Sequence, residues 1–264
     1  MFQKNITGVE TTFGFNLLKA YGAQQGYVFS PLTMLFALSL IRKDKFHLKI
    51  QEEYQNLGFK DQEIEYYLDQ KLDDIIVRSD TGMDNKRNYN QTRIMFNGAW
   101  ESTLNGFVFN EFHAGRTKAK PTMFLTKLRD RFLLNVDDVF KIIILPFENY
   151  NLKFFIIIPV KRFGLRRALT KLTKERFDSL VQDSEMELVN VVIPQFDILN
   201  LLVNAKNMGI QLPIKVNLEY KQRPRVAGLL YRPENREPYH FHADHPFVFG
   251  VLRSSKPVFL GVYK

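Results

Sequence analysis

The sequence predicts an α+β fold in which helices come first and strands dominate the rest of the chain. Three observations carry that prediction. Apolar residues recur at helical spacing near the start, at Val9, Phe13, Leu17 and Ala20. Short runs rich in Ile, Val and Phe fill much of the chain after residue 92. Strands and helices do not alternate regularly there, which argues against a parallel βαβ sheet.

Taken in order, the first helix spans Val9–Tyr21 and Gly22 ends it. Tyr27, Val28 and Phe29 form a short strand. Ser30 then caps a second helix with Pro31 in its first turn. Its body, LTMLFALSLI, is apolar nearly all round, so it is central and buried. Residues 49–74 carry eight acids against three lysines and read as two short amphipathic helices broken at Leu57-Gly58. Residues 77–91 have no period and read as a long loop. Strands are expected at 92–100 and 132–135. A hairpin is expected from 139–147 and 152–160, apolar on both faces and therefore buried in a layered core. One helix is expected over 165–180, from Leu165, Leu169, Leu172 and Leu180. A strand over 186–193 stops at Pro194. A short helix over 201–208 ends at Gly209, and strands at 214–220, 246–252 and 258–263 close the chain. No internal repeat or low-complexity segment divides it, so 1–264 reads as one domain.

Composition supports a large unstapled core. The chain has 264 residues, 45% hydrophobic, with 24 Phe and no Cys. Disulfides, thiolate metal sites and cysteine nucleophiles are excluded. No stretch is apolar for long enough to span a bilayer, and no secretory leader is recognisable. The expected compartment is a reducing cytoplasm, with export the other option. The formal charge of +9 fits a solvated basic surface and also acidic partners.

Motifs for catalysis are missing: no Gly-rich phosphate loop, no HExxH, no GxSxG. The chain reads as a non-enzyme with no cofactor. His240, His242, Asp244 and His245 are the one dense set of metal-ligand types. They lead straight into a buried strand, so a structural role is the expectation and no metal is assigned. Lys161, Arg162, Arg166, Arg167, Lys171 and Lys174, with Arg176, read as a cationic helix edge for a polyanion such as a glycosaminoglycan. Few aromatics interleave with them, which argues against sequence-specific nucleic-acid reading.

Five stretches in order carry a family resemblance: YVFSPLTMLFALSLI, MFNGAW, VIPQFDI, NMGI and HADHPFVFGVLRSSKPVFLGVYK. Together they resemble a serpin along nearly the whole chain. The family's strand entering a buried helix matches Val28 to Leu32, and its F-K-G-x-W strand end matches Phe96 to Trp100. Its A-D-H-P-F-x-F run matches Ala243 to Phe249. The compact, cysteine-free chain looks like a reduced poxviral serpin of the myxoma type. The resemblance implies a serpin-like fold with a trimmed main sheet and lost helices. It implies a serine-type endopeptidase inhibitor acting on a host protease during infection, in the infected-cell cytoplasm. The alternative is a non-inhibitory serpin-fold protein that binds a host protein or glycosaminoglycan.

In that family an exposed loop offers a bait bond and then inserts into the main sheet to trap the protease. The segment in that place, 222–240, reads QRPRVAGLLYRPENREPYH. Family spacing puts the bait near Tyr231, Arg232 and Pro233, and a slip in alignment would move it to Leu229-Leu230. Arg232 suits a trypsin-like protease, but Pro233 after it hinders cleavage; Asn235-Arg236 is a further option. The hinge position holds Gln222, Arg223, Pro224 and Arg225 where the family has small residues. Pro224 has no N–H for a central ladder. Arg223 and Arg225 share a face, and burying them unpaired costs several kcal/mol each. The loop therefore reads as an exposed remnant whose insertion is opposed.

Overall fold

The computed structural model describes residues 8–31, 91–96, 104–147, 152–196, 201–202, 215–220 and 236–264. The predicted acidic helices and the loop before Gln91 lie outside these residues, as does the body of the second helix. Ser30 and Pro31, its first residues, are described and buried.

Helix α1 (Val9–Tyr21) ends where predicted: Gly22 takes φ 64° and its N–H donates to the Leu18 carbonyl. Strand β1 (Tyr27–Phe29) comes next, and the Tyr27 hydroxyl donates back to the Gly22 carbonyl at 2.9 Å. The next strands are β2 (Gln91–Phe96), β3 (Gly106–Gly115), β4 (Lys118–Val136), β5 (Phe140–Pro146) and β6 (Leu152–Pro159). Helices α2 (Leu165–Leu169) and α3 (Lys174–Gln182) come after them. The chain ends with β7 (Glu185–Pro194), β8 (Leu201–Leu202), β9 (Lys215–Tyr220), β10 (Tyr239–His242), β11 (Phe247–Arg253) and β12 (Lys256–Tyr263).

Among the described residues nine strands form one sheet in the order β1-β12-β11-β6-β5-β4-β7-β10, with β3 hydrogen-bonded to β4. The predicted hairpin β5–β6 is its centre. Ile143 faces Ile156 across it, and Ile142, Ile143, Ile144, Phe155, Ile156 and Ile157 are essentially inaccessible. Consecutive residues point to opposite faces, so both faces are covered. On one face Phe155 meets Phe177 of α3, which in turn meets Phe15 of α1 at 4.9 Å. On the other, Phe154 packs on Phe249, which joins Phe196, Phe247 and Tyr263. A second sheet holds β2, β9 and β8, and β1 approaches both β8 and β9.

Three expectations change. The strand expected at 132–135 is the tail of the 19-residue β4, and β3 before it was not foreseen. The helix expected over 165–180 is two helices. Thr173 interrupts it in an extended conformation and caps α3, its hydroxyl accepting the Arg176 N–H at 3.3 Å. At 201–202 the expected helix is instead strand β8, pairing Leu201 with Val216 and Leu202 with Lys215; 203–208 lie outside the described residues. The strand expected at 92–100 is described only over Gln91–Phe96.

Close packing at the sheet centre sets a test. A Cβ on Gly250 would lie 2.1 Å from the Phe259 carbonyl oxygen and 2.8 Å from the Phe155 ring. Gly250→Ala is expected to cost about 2 kcal/mol, read as a thermal midpoint lower by roughly 4–8 °C. An unchanged midpoint would show that this crossing is looser than described.

Candidate functional site

The segment between β9 and β10 is the site the sequence singles out. Its hinge, Gln222–Arg225, and its bait candidates, 229–233, lie outside the described residues. Its far end is described from Arg236 onward. There the chain becomes β10, which pairs in parallel with β7 from Tyr239↔Val189 to His242↔Val192. β10 closes the large sheet at that edge, so the loop springs from a margin of the sheet. Phe241 is fully buried and anchors the strand.

A bulge in β4 holds the base of this loop. Between Lys127↔Val191 and Asp130↔Val189, β4 advances three residues while β7 advances two. Arg129 takes φ 51°, a conformation L side chains rarely adopt. Its N–H, released from the ladder, donates to Asn190 Oδ1 at 2.8 Å. Its guanidinium Nη2 donates to the Arg236 carbonyl at 3.2 Å. The Arg236 guanidinium in turn lies 3.4 Å from the Glu187 carboxylate on β7. Arg236 is thus tied through its carbonyl to Arg129 of β4, while its exposed side chain pairs with Glu187. Beside it lies a cleft of about 500 Å³ lined by Asp183, Glu185, Glu187 and Glu237.

On the other side of β10, Asp244 gathers three elements. Its carboxylate pairs with Arg162, from the turn before α2, and with His245 Nδ1 at 2.8 Å. Its carbonyl accepts the His113 N–H from β3 at 2.8 Å. Burial pushes the Asp244 carboxyl up. The His245 hydrogen bond and the charges of His242, His245 and Arg162 outweigh that and hold it below the usual range. Among the described residues no group of His, Asp or Glu is arranged to hold a metal. His240 is exposed on the strand, whereas the His242 ring meets Phe124 edge-on at 5.5 Å.

The predicted cationic edge is divided by the break at Thr173. Arg162 is committed to Asp244, and Lys174 pairs with Asp178. Arg176 binds Asp137 and Asp138. Burial raises the Asp137 carboxyl, but the Arg176 hydrogen bond, the Phe140 and Val139 N–H groups and the guanidinium charge bring it below its ordinary value. Lys161, Arg166, Arg167 and Lys171 stand exposed in and around α2.

Known proteins share this geometry. The family model described as serpin (serine protease inhibitor) matches residues 60–215, more than half of the chain. The chain belongs to the serpin family. The family is one of protease inhibitors rather than enzymes. Among solved structures, the thermophilic serpin tengpin in its native state superposes with a TM-score of 0.76 at 13% identity, covering 100% of this chain and 94% of that one. Maspin superposes with a TM-score of 0.72 at 16% identity, covering 96% and 97%. A tumour suppressing serpin gives 0.68 at 16% identity, covering 96% and 97%. At these identities the likeness establishes the serpin fold, which this serpin builds from a shortened chain. No curated protein matches the sequence. No helix among the described residues is long and apolar enough to cross a membrane.

Sequence reading did not find Arg129, Asn190, Glu187 or the stalk role of Arg236. Asn190 alone left a signal, a polar side chain inside the apolar run LVNVVI. Asn190→Ala is expected to strand the Arg129 N–H and cost about 1–3 kcal/mol in denaturant unfolding. Asn190→Asp keeps an acceptor and is expected to retain most of that stability. Equal losses in both would remove the hydrogen bond from the account.

Proposed function

We propose that this serpin engages a host serine protease through its exposed loop as a slowly cleaved, substrate-like ligand, and that it does not complete trapping by loop insertion. The observation that carries this reading is the hinge sequence Gln222-Arg223-Pro224-Arg225 that follows β9. The loop leaves the end of β9, so to insert it must fold back beside β9. One side of β9 is hydrogen-bonded to β2, in parallel, over six residue pairs from Gln91↔Lys215 to Phe96↔Tyr220. The other is bonded to β8. A returning strand must break one of these ladders, each step of which satisfies backbone groups in the sheet. The strand available to replace it carries Arg223, Pro224 and Arg225. Those residues offer one fewer donor and two guanidiniums to a central position.

Recognition falls to residues 229–233, with Arg232 the side chain suited to a trypsin-like pocket. The clamp on Arg236 fixes the far end of that span. The setting proposed is a poxviral infection, in the cytoplasm of the infected cell, where the cysteine-free composition is at home. A second reading, binding of a host glycosaminoglycan, is favoured by the exposed group Lys161, Arg166, Arg167 and Lys171, which has α2 as its base.

Mixing the purified protein with trypsin-like, elastase-like and caspase-type proteases and running a denaturing gel tests the proposal. The expected result is cleavage within residues 226–238 and no species larger than either protein. A protease-sized upward shift that survives denaturation would mean that insertion proceeds, and the reading would fall.

A further inference from the structure

The histidines around β10 surround one carboxylate in a way that protease recognition does not require. His245 is 6% exposed, and its Nδ1 is bound to Asp244. With that nitrogen donating to the carboxylate, Nε2 keeps a lone pair. Nε2 of His245 and Nε2 of His242 are both buried, and neither has a hydrogen-bond partner among the described residues. A neutral ring tolerates this at modest cost. A protonated His242 ring does not, because its charged N–H finds no acceptor among the described residues.

The charged and titratable groups around these rings come from every neighbouring element. His113 approaches from β3, Arg162 from the turn before α2, and Asp244 and His245 from the link between β10 and β11. β4 contributes the uncharged Phe124 ring, and Phe163 lies against His245. One carboxylate therefore faces one permanent cation and three imidazoles. The permanent charge of Arg162 is balanced by Asp244, and a proton added to His242 leaves the set more positive.

We propose that this cluster is an acid-sensitive latch: a neutral His242, on β10 and against Phe124, keeps β10 on β7, and its protonation releases β10 together with the loop stalk. The functional part of the proposal rests on reading 221–238 as the protease-facing loop. The latch itself does not. Because β10 is an edge strand held by four residue pairs, its release leaves the central hairpin β5–β6 in place.

The direction of the pH effect comes from the same geometry. Burial, the largest influence, pushes the His242 imidazole below its ordinary value; Arg162, His245 and His113 act the same way, and Asp244 opposes them. A histidine lowered in the folded state contributes stability that is complete above its unfolded value. That stability declines as pH falls below it, until the folded value is reached. Asp244, held low, loses its contribution only at more acidic pH, so the two are separable.

The test is backbone amide exchange of residues 239–243, corrected for intrinsic rates, from about pH 7.5 to about pH 5. Local opening is expected to grow by up to about tenfold per pH unit as His242 titrates. Exchange in β5 and β6 is expected to stay flat. His242→Phe, which can pack on Phe124, and His242→Gln, which keeps polarity without titrating, are both expected to reduce the slope. A flat profile in the wild type overturns the latch, as does an unchanged slope in whichever variants fold. No protease is needed for the readout, so loss of the latch and loss of the protease-directed reading are seen separately.

Discussion

One extra residue in β4 holds the functional end of this serpin together. β4 bonds to β3 along its first half, to β5 at its end and to β7 across its middle. A bulge bends a strand of nineteen residues and increases its local twist. The bulge at Leu128-Arg129 supplies the turn. It puts Arg129 at φ 51°, which costs an L residue about 1–2 kcal/mol. Asn190 offsets that cost by accepting the freed N–H. The same turn aims the Arg129 guanidinium at the Arg236 carbonyl. Sheet curvature and loop anchoring are therefore one device.

The two ends of the loop differ in kind. Its far end is pinned to the large sheet by Phe241, by the Arg129–Arg236–Glu187 contacts and by the Asp244 cluster. Its near end leaves β9, the middle strand of the small sheet. An inserting loop must part a ladder beside β9 and replace it. A loop that is only read by a partner needs a firm base. The described geometry supplies such a base, and on the proposed reading Arg223, Pro224 and Arg225 oppose the replacement.

Much of the fold was legible where burial dictates sequence. The hairpin β5–β6 announced itself because both faces are covered, so its run is apolar almost throughout. α1 was legible to its last residue because Gly22 is needed at positive φ. β3 was not, because it is an edge strand with Phe107 and Phe109 about 70% exposed, so side-chain pattern and burial part company there. The break between α2 and α3 was hidden because Leu172 stays buried through the turn, keeping the apolar spacing of one continuous helix. The His240–His245 stretch stood out as chemistry, but its partners Arg162 and His113 are remote in sequence and nothing local names them. The Arg129 clamp joins three segments whose compositions are each ordinary.

Thermal unfolding before and after a single cut in the loop tests the central claim most directly. Insertion of a cut loop as a new strand would add a full ladder of backbone bonds and buried side chains to the small sheet. With Arg223, Pro224 and Arg225 opposing a new ladder, the nicked protein is expected to melt within about 3 °C of the intact one. A midpoint raised by more than about 10 °C would mean that the loop enters the sheet after all, and would contradict the account.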